Sequence, residues 1–518
     1  MTNQRTDLDV QTPVYEWSKR ILIAAIAGIL FLTLLPFRFA FGAKIPGIAS
    51  AFLLGSELKS VGPFNAFLNV LLFVPFGFGL SEKLRERGKS PAATAMTVLM
   101  AGAMFSYAIE FAQIYIPSRD SGWEDVLTNS TGSVMGFLFY ELLGGAVLRC
   151  LMRVEAALDS WLSLRRVALV LPVYLVLWFA ISVQLQKDTR LTNWDPKSPL
   201  LIGNDASGRI RHAWKGKVLT LQLWDRALPD DLARNLTSGQ APDGVQSGQL
   251  ATYHFSGAPP FQDQRKFIPD LFWATKPPTQ MDSKALYLNG ESWLTTEVPV
   301  TDLVTDLVKA KQFSVRVVCA PAEIRGVDAR IASISEASGL VNLSLGQTNA
   351  DLVLWFRTPL SLQLSHLAFY VPNVFATDQL RDILYSYDGS DLCIYIDGKK
   401  VPRTYRLGPG TSLAHLFRKT NPSVLEGYNY LYYSSVFLPV GFLLGLAGRK
   451  LTSLKGSYSV WLIVGFVLAP EFLEFILAWV SGRSPSIGYT TLSLFLAVGG
   501  FIWINADRRC RQQIDSGQ

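Results

Sequence analysis

The chain has 518 residues, of which 49% are hydrophobic and only 17% charged, and its mean hydropathy is +0.24. That balance excludes an ordinary soluble enzyme of this length and calls for several transmembrane helices. The net charge of +7 is distributed as a topology signal, so no nucleic-acid partner is expected.

In chain order, a tail over residues 1–20 leads into eight expected spans, near 21–39, 64–80, 92–115, 130–148, 167–184, 428–446, 458–480 and 488–504. Most approach the ~20 residues that a bilayer requires. The first lacks a small-residue cleavage site and reads as a retained signal anchor. Basic clusters follow: Lys19 and Arg20; Lys83, Arg85, Arg87 and Lys89; Arg149, Arg153, Arg165 and Arg166; Arg449, Lys450 and Lys455; Arg508, Arg509 and Arg511. With eight spans all five clusters fall on one side, which puts both termini in the cytoplasm. The expected domains are therefore a five-helix set over 21–184, an extracytoplasmic insertion over 185–427, a three-helix set over 428–504 and a cytoplasmic tail over 505–518. Cys150 and Cys510 fall on the cytoplasmic side, while Cys319 and Cys393 sit in apolar strand-like runs and read as buried free thiols.

The insertion has a β texture. Val218–Trp224 and Phe313–Val318 alternate apolar and polar residues, as half-buried strands do. Leu392–Ile396 runs into Asp397-Gly398, a tight-hairpin signal, with Lys399-Lys400-Val401 as the return strand. Leu392–Val401 resembles the penultimate part of a concanavalin A-like (laminin-G-like) jelly roll. Leu200–Asn204, Trp214–Val218 and Trp224–Leu228 resemble its closing strands, and Leu250–Gly257 its opening strand. The closing strands come first, so the expectation is an all-β sandwich, a circularly permuted jelly roll; the alternative is a degraded first copy followed by an incomplete second. The resemblance implies glycan binding, sometimes with calcium, and otherwise no cofactor. Between 185 and 427 there is no Glu-x-Asp-x-x-Glu run of the kind that the glycosidase relatives carry. Trp214, Trp293 and Trp355 read first as core aromatics, with stacking on sugars as the alternative for each. Four histidines in the whole chain argue against a zinc site, and no metal is assigned.

The helical part contains one stretch twice. With a shift of 364, residues 65–87 and 106–138 align without a gap onto 429–451 and 470–502. Asn65 meets Asn429, Pro75 meets Pro439, Glu110-Phe111 meets Glu474-Phe475, Arg119 meets Arg483, and Gly136-Phe137 meets Gly500-Phe501. The expectation is a duplicated membrane module whose copies run parallel, because Asn65 and Asn429 both begin a span directed inward.

The first copy reads Asn65-x-x-x-Asn69, Leu72–Gly77, Glu110-x-x-Gln113, Arg119, Asp125-x-x-x-Asn129 and Gly132-x-x-x-Gly136. This set and its order resemble the VanZ-like family of bacterial membrane proteins, over residues 65–140, with 429–502 as a second, eroded copy. The resemblance implies a cell-envelope protein of the cytoplasmic membrane, linked to glycopeptide resistance, without fixing a chemistry.

The residues carry their own reading. Glu110 and Gln113 share a helix face, and a carboxylate within a span costs ~2–3 kcal/mol unless paired or facing a polar interior. Asn65 and Asn69, Asp125 and Asn129 are four apart at the starts of their spans, and Gly132 and Gly136 let helices approach closely. The ligand-binding candidates are Asn65, Asn69, Glu110, Gln113, Arg119, Asp125 and Asn129; Glu474 and Arg483 form the structural pair of the second copy. Glu110–Arg119 reads first as a lock between helices, next as a ligand site and last as an acid/base centre. The leading function is binding of a glycan or lipid-linked glycan at the extracytoplasmic face. The alternatives are an intramembrane transferase or hydrolase with Glu110 or Asp125 as base and Arg119 on phosphate, and, last, a transporter.

Overall fold

The computed structural model describes residues 4–34, 63–116, 122–161, 164–240, 243–279, 284–324, 326–361, 367–402, 404–417, 425–449 and 455–515. The chain divides into two compact units. One consists of Met1–Leu171, Leu438–Leu462 and Val498–Gln518, the other of Pro172–Phe437 and Ile463–Ala497. Seven helical stretches among the described residues are long and apolar enough to cross a membrane: Ala66–Glu86, Pro91–Gln113, Trp123–Leu158, Arg165–Lys187, Gly427–Gly448, Tyr458–Ser481 and Ile487–Asn505. The expected span 21–39 is not among the seven; it falls on α1 (Gln4–Leu34) and then leaves the described residues. The protein is a multi-pass helical membrane protein with a separate β-sheet region.

In the first unit α2 (Pro63–Glu86), α3 (Pro91–Gln113) and α4 (Trp123–Trp161) pack together against α1. Ser90 caps α3 by accepting the Ala93 amide at 3.3 Å, and Pro91 sits where a missing N–H costs nothing. Ala25, Ile29, Phe73, Phe76 and Ile109 form the core between α1, α2 and α3. The contact of α2 with α4 is set by glycine. A β-carbon at Gly132 would lie 2.2 Å from the Val70 carbonyl oxygen, and one at Gly136 2.2 Å from that of Val74. Both values are far inside van der Waals contact, so only glycine lets these backbones meet.

In the second unit two antiparallel sheets enclose one core. The first holds β1 (Leu200–Ile202), β4 (Leu271–Trp273), β6 (Leu294–Thr296), β8 (Gly326–Ser335), β9 (Val341–Asn349), β10 (Asp351–Phe356) and β11 (Leu367–Val371), in the order β11-β10-β9-β8-β1-β6-β4. The second holds β2 (Lys215–Trp224), β3 (Gln249–His254), β7 (Phe313–Pro321), β12 (Arg381–Tyr387), β13 (Asp391–Ile396) and β14 (Lys399–Lys400), in the order β14-β13-β12-β7-β2-β3. β5 (Leu286–Asn289) adds to β2 and β15 (Tyr405–Arg406) to β13. Alternation decides which side faces in: on β7, Val315, Val317 and Cys319 are buried while Arg316, Val318 and Ala320 are half-buried. Leu200, Ile202, Leu343 and Leu354 from one sheet meet Leu221, Val317, Ile383 and Ile394 from the other. Asp397 and Gly398 turn the β13–β14 hairpin with φ of 50° and 78°, the left-handed pair that a two-residue loop of this twist requires.

The insertion is not all-β. Among the described residues three short α-helices interrupt it, α6 (Asp230–Thr237), α7 (Thr301–Ala310) and α8 (Pro409–Phe417), besides a 3-10 turn at Ile210–His212. They escape strand-centred reading because each is only two or three turns long; α7 buries just Leu303, Val304 and Leu307.

The same unit contains the ends of α5 (Leu164–Lys187), α9 (Leu425–Arg449), α11 (Ala469–Ser481) and α12 (Ile487–Asp515). A π-helical segment, Val464–Leu468, joins α10 (Lys455–Ile463) to α11. The β region is fastened to the end of α11. Arg190 donates from Nε and Nη2 to the Val480 carbonyl at 2.9 and 2.6 Å, and Gln312 donates to that of Gly482 at 2.6 Å. Cationic and amide donors here satisfy carbonyls that the helix terminus leaves open.

Candidate functional site

The polar residues picked out in the first helical set gather at one end of it, around the α3–α4 connection. Asn69, in the second turn of α2, donates to Asp125 Oδ1 on α4 at 2.5 Å and lies 3.4 Å from the Thr128 hydroxyl. Glu110, near the end of α3, is 3% exposed; its Oε2 accepts the Gly122 backbone N–H at 3.1 Å, which ties α3 to the start of α4. Gln113 closes α3 and donates to the Thr33 carbonyl of α1 at 2.8 Å. One turn further into the helices, Asn129 donates to the Ser106 hydroxyl at 2.9 Å. Asn129 is buried, and its Oδ1 has no hydrogen-bond partner. An acceptor left unmet in such a place costs about 1–3 kcal/mol, and this amide keeps capacity for one further hydrogen bond.

Two sequence candidates escape placement. Arg119 lies outside the described residues, and so does the side chain of Asn65, although its backbone belongs to α2. The structure therefore brings together Asn69 with Asp125, and places Glu110, Gln113 and Asn129 at the same end of the bundle. Sequence reasoning missed Ser106, Thr128, the Gly122 amide and the Thr33 carbonyl. Ser106 was within reach, because it stands four residues before Glu110 and shares its face. The two backbone partners leave no mark on a sequence. Glu82, also missed, is buried at the opposite end of the set, beside the Tyr140 hydroxyl.

The positions 364 residues later hold different chemistry. Glu474 Oε1 accepts Arg483 Nη1 at 2.6 Å and the Ser486 backbone N–H at 2.7 Å, and its Oε2 accepts the Tyr433 hydroxyl at 3.0 Å. Glu474 is 1% exposed. Tyr433 and Tyr489 stack with ring centroids 4.5 Å apart, and the Arg406 guanidinium lies 4.9 Å from the Tyr489 ring centre. Beside this set runs a cleft of about 730 Å³ lined by Glu471, Phe472, Glu474, Phe475, Thr490 and Thr491 among others. Its walls are mostly apolar and both oxygens of Glu474 are already engaged, so it suits an apolar chain better than a polar headgroup.

Helices packed through glycine, with buried amides and carboxylates gathered at one end, define a helical membrane protein with a polar cluster inside its first helical set. Residues 11–144, which run from α1 into α4, match the family model described as VanZ/LLP1, so this helical set is VanZ-like. No curated protein and no solved structure matches the chain.

Proposed function

We propose that the protein binds the polar headgroup of a lipid-linked glycan at the extracytoplasmic face of the bacterial cytoplasmic membrane. The site is the loop end of the α2–α3–α4 set, with Asn69, Gln113, Asp125 and Asn129 as the contacts and Glu110 as the group that holds the loop. Both termini then lie in the cytoplasm and the β region outside, where it serves polysaccharide or peptidoglycan processing or glycopeptide resistance. The observation that carries this reading is the buried Asn129 amide with an unmet acceptor, next to an Asn69–Asp125 pair.

The second helical set is read as a copy that has closed. Three pairs of contacts support the duplication. Glu110 takes the Gly122 N–H and Glu474 takes the Ser486 N–H, both twelve residues on. A β-carbon at Gly136 would meet the Val74 carbonyl, and one at Gly500 the Leu438 carbonyl, at 2.2 and 2.6 Å. Positions 69 and 125 touch through a hydrogen bond, and positions 433 and 489 through stacked rings. In this account the tyrosines fill the space that the first set keeps polar. The β region is read as the permuted jelly roll, with its ends returned to the membrane.

Mass spectrometry of lipids co-purifying with the detergent-solubilised protein tests the reading. The double variant Asn69→Tyr, Asp125→Tyr copies the closed set into the open one. A glycolipid held by the wild type and lost from the folded variant is the expected result; equal retention, or none in either, overturns it.

A further inference from the structure

Of the three tryptophans singled out in the insertion, two are spent on packing. Trp214 is 1% exposed and donates to Gln347 Oε1 at 2.7 Å, and Trp355 is buried with the Arg330 guanidinium 3.6 Å from its ring centre. Trp293 is only half-buried and lines a cleft of about 620 Å³. The strand register explains where that cleft lies. Leu200 and Ile202 point into the core, so Leu201 between them faces away from it, and Leu201 is paired across the ladder with Thr295. Leu201, Thr295 and Trp293 line one side, and Lys197, Glu336 and Ser338 face the same space.

We propose that this cleft is a binding site for a neutral or amino-sugar oligosaccharide, with the Trp293 indole as platform and Glu336 as hydroxyl acceptor. The idea rests on the glycan reading above and gives the β region a sugar site of its own. A pyranose ring offers an apolar C–H face to an aromatic plane and hydroxyl donors at its edge, which is the pairing that Trp293 and Glu336 present. The backbone holds the ring in place: Trp293 N–H donates to the Thr275 hydroxyl at 3.2 Å, and its carbonyl accepts the Ala274 N–H at 3.0 Å. Gly208 lies beside the ring in a left-handed conformation, φ 64°, where a β-carbon would stand 3.8 Å from Cζ2. The volume falls within the ~300–1,000 Å³ of small-ligand sites.

Charge narrows the class of sugar. The other acid on the cleft wall, Asp205, is committed to His212 Nδ1 at 2.7 Å and to Ser207. Glu336 takes the Ser338 hydroxyl at 3.1 Å and has Asp195 beside it; burial, and then the hydrogen bond with Asp195, push its carboxyl above the ordinary range. Lys197 on the cleft wall, with Arg330 beside Asp205 and Arg357 beside Glu336, balances these acids, so the cleft carries no excess charge and a neutral sugar is the class it suits.

The test titrates maltotriose, cellotriose and chitotriose into the full-length protein in detergent, each to about 10 mM, with calorimetry and tryptophan fluorescence as readouts. A hyaluronate hexasaccharide serves as the anionic probe. The expected result is saturable binding of at least one neutral trisaccharide, tenfold or more weaker in Trp293→Ala, largely restored in Trp293→Phe, and absent for hyaluronate. Glu336→Gln should weaken it severalfold with unchanged thermal stability. No binding by any of the three, or binding that Trp293→Ala leaves intact, overturns the proposal. Glycolipid retention is read in the same Trp293→Ala preparation. Loss of sugar binding with retention kept marks the cleft as a separate site, and retention failing in the wild type sinks the membrane reading instead.

Discussion

Each of the two helical sets buries a glutamate, Glu110 and Glu474, and the two are surrounded differently. Towards the end of the bundle that holds Glu110 the neighbouring helices offer Asn69, Asp125 and Asn129, and its own helix Gln113, small groups that can bond to one another or to a guest. Around Glu474 they offer Tyr433, Tyr489 and Arg483, which fill the volume and satisfy the carboxylate. The difference teaches that a buried carboxylate alone does not mark a binding site. What decides is whether the chain itself uses up the hydrogen-bonding capacity around it. The second set also takes the load of the β region, through Arg190 and Gln312 on the end of α11.

The comparison breaks most severely at the ion pair. Arg483→Met leaves Glu474 buried without its cation, and by analogy with other broken buried pairs should cost about 3–5 kcal/mol, read as a fall in the thermal midpoint. Next comes the glycine contact. Gly136→Val drives a side chain into the Val74 carbonyl and should destabilise by about 1–3 kcal/mol or more, whereas Gly500→Val, with slightly more room, should cost less. The pair Asn69→Tyr, Asp125→Tyr sharpens the contrast from the other side: with stacked rings in place of the hydrogen bond, stability should stay within about 1 kcal/mol of wild type while glycolipid retention disappears.

The smallest effect is a pH dependence in the β region. Burial, outweighing the attraction of Asp205, holds the His212 imidazole below its ordinary 6.5. As the pH falls below 6.5 the unfolded chain therefore takes up this proton first, and stability declines until the depressed folded value is reached. One proton limits the slope to ~1.4 kcal/mol per pH unit. Burial alone would raise Asp205, but the Ser207 hydrogen bond and the His212 and Arg330 charges outweigh it and keep it low, so its contribution is lost only at more acid pH. Unfolding in denaturant across this range should show the upper step in wild type and not in His212→Asn.

Much of this was legible in the residues. Glu110, Asn69 and Asp125 announce themselves because charged and amide groups are expensive in a span, and Gly132-x-x-x-Gly136 announces a close helix contact. The strand at Phe313 and the Asp397-Gly398 turn are visible because alternation and left-handed φ demand particular residue types. The Gly122 and Ser486 amides were invisible, since a backbone donor carries no residue signature. The roles of Trp293 and Trp355 could not be told apart either: Trp355 lies within β10 and Trp293 directly before β6, and only the register of those strands and the covering Arg330 decide that one is exposed to a cleft and the other is not.

The most direct test is native mass spectrometry of the purified protein titrated with a polyprenyl diphosphate-linked disaccharide. The account predicts saturable one-to-one occupancy, weakened at least tenfold by Asn69→Tyr, Asp125→Tyr and unchanged by Tyr433→Phe. Equal occupancy in the wild type and the double variant, or loss on Tyr433→Phe alone, would contradict it.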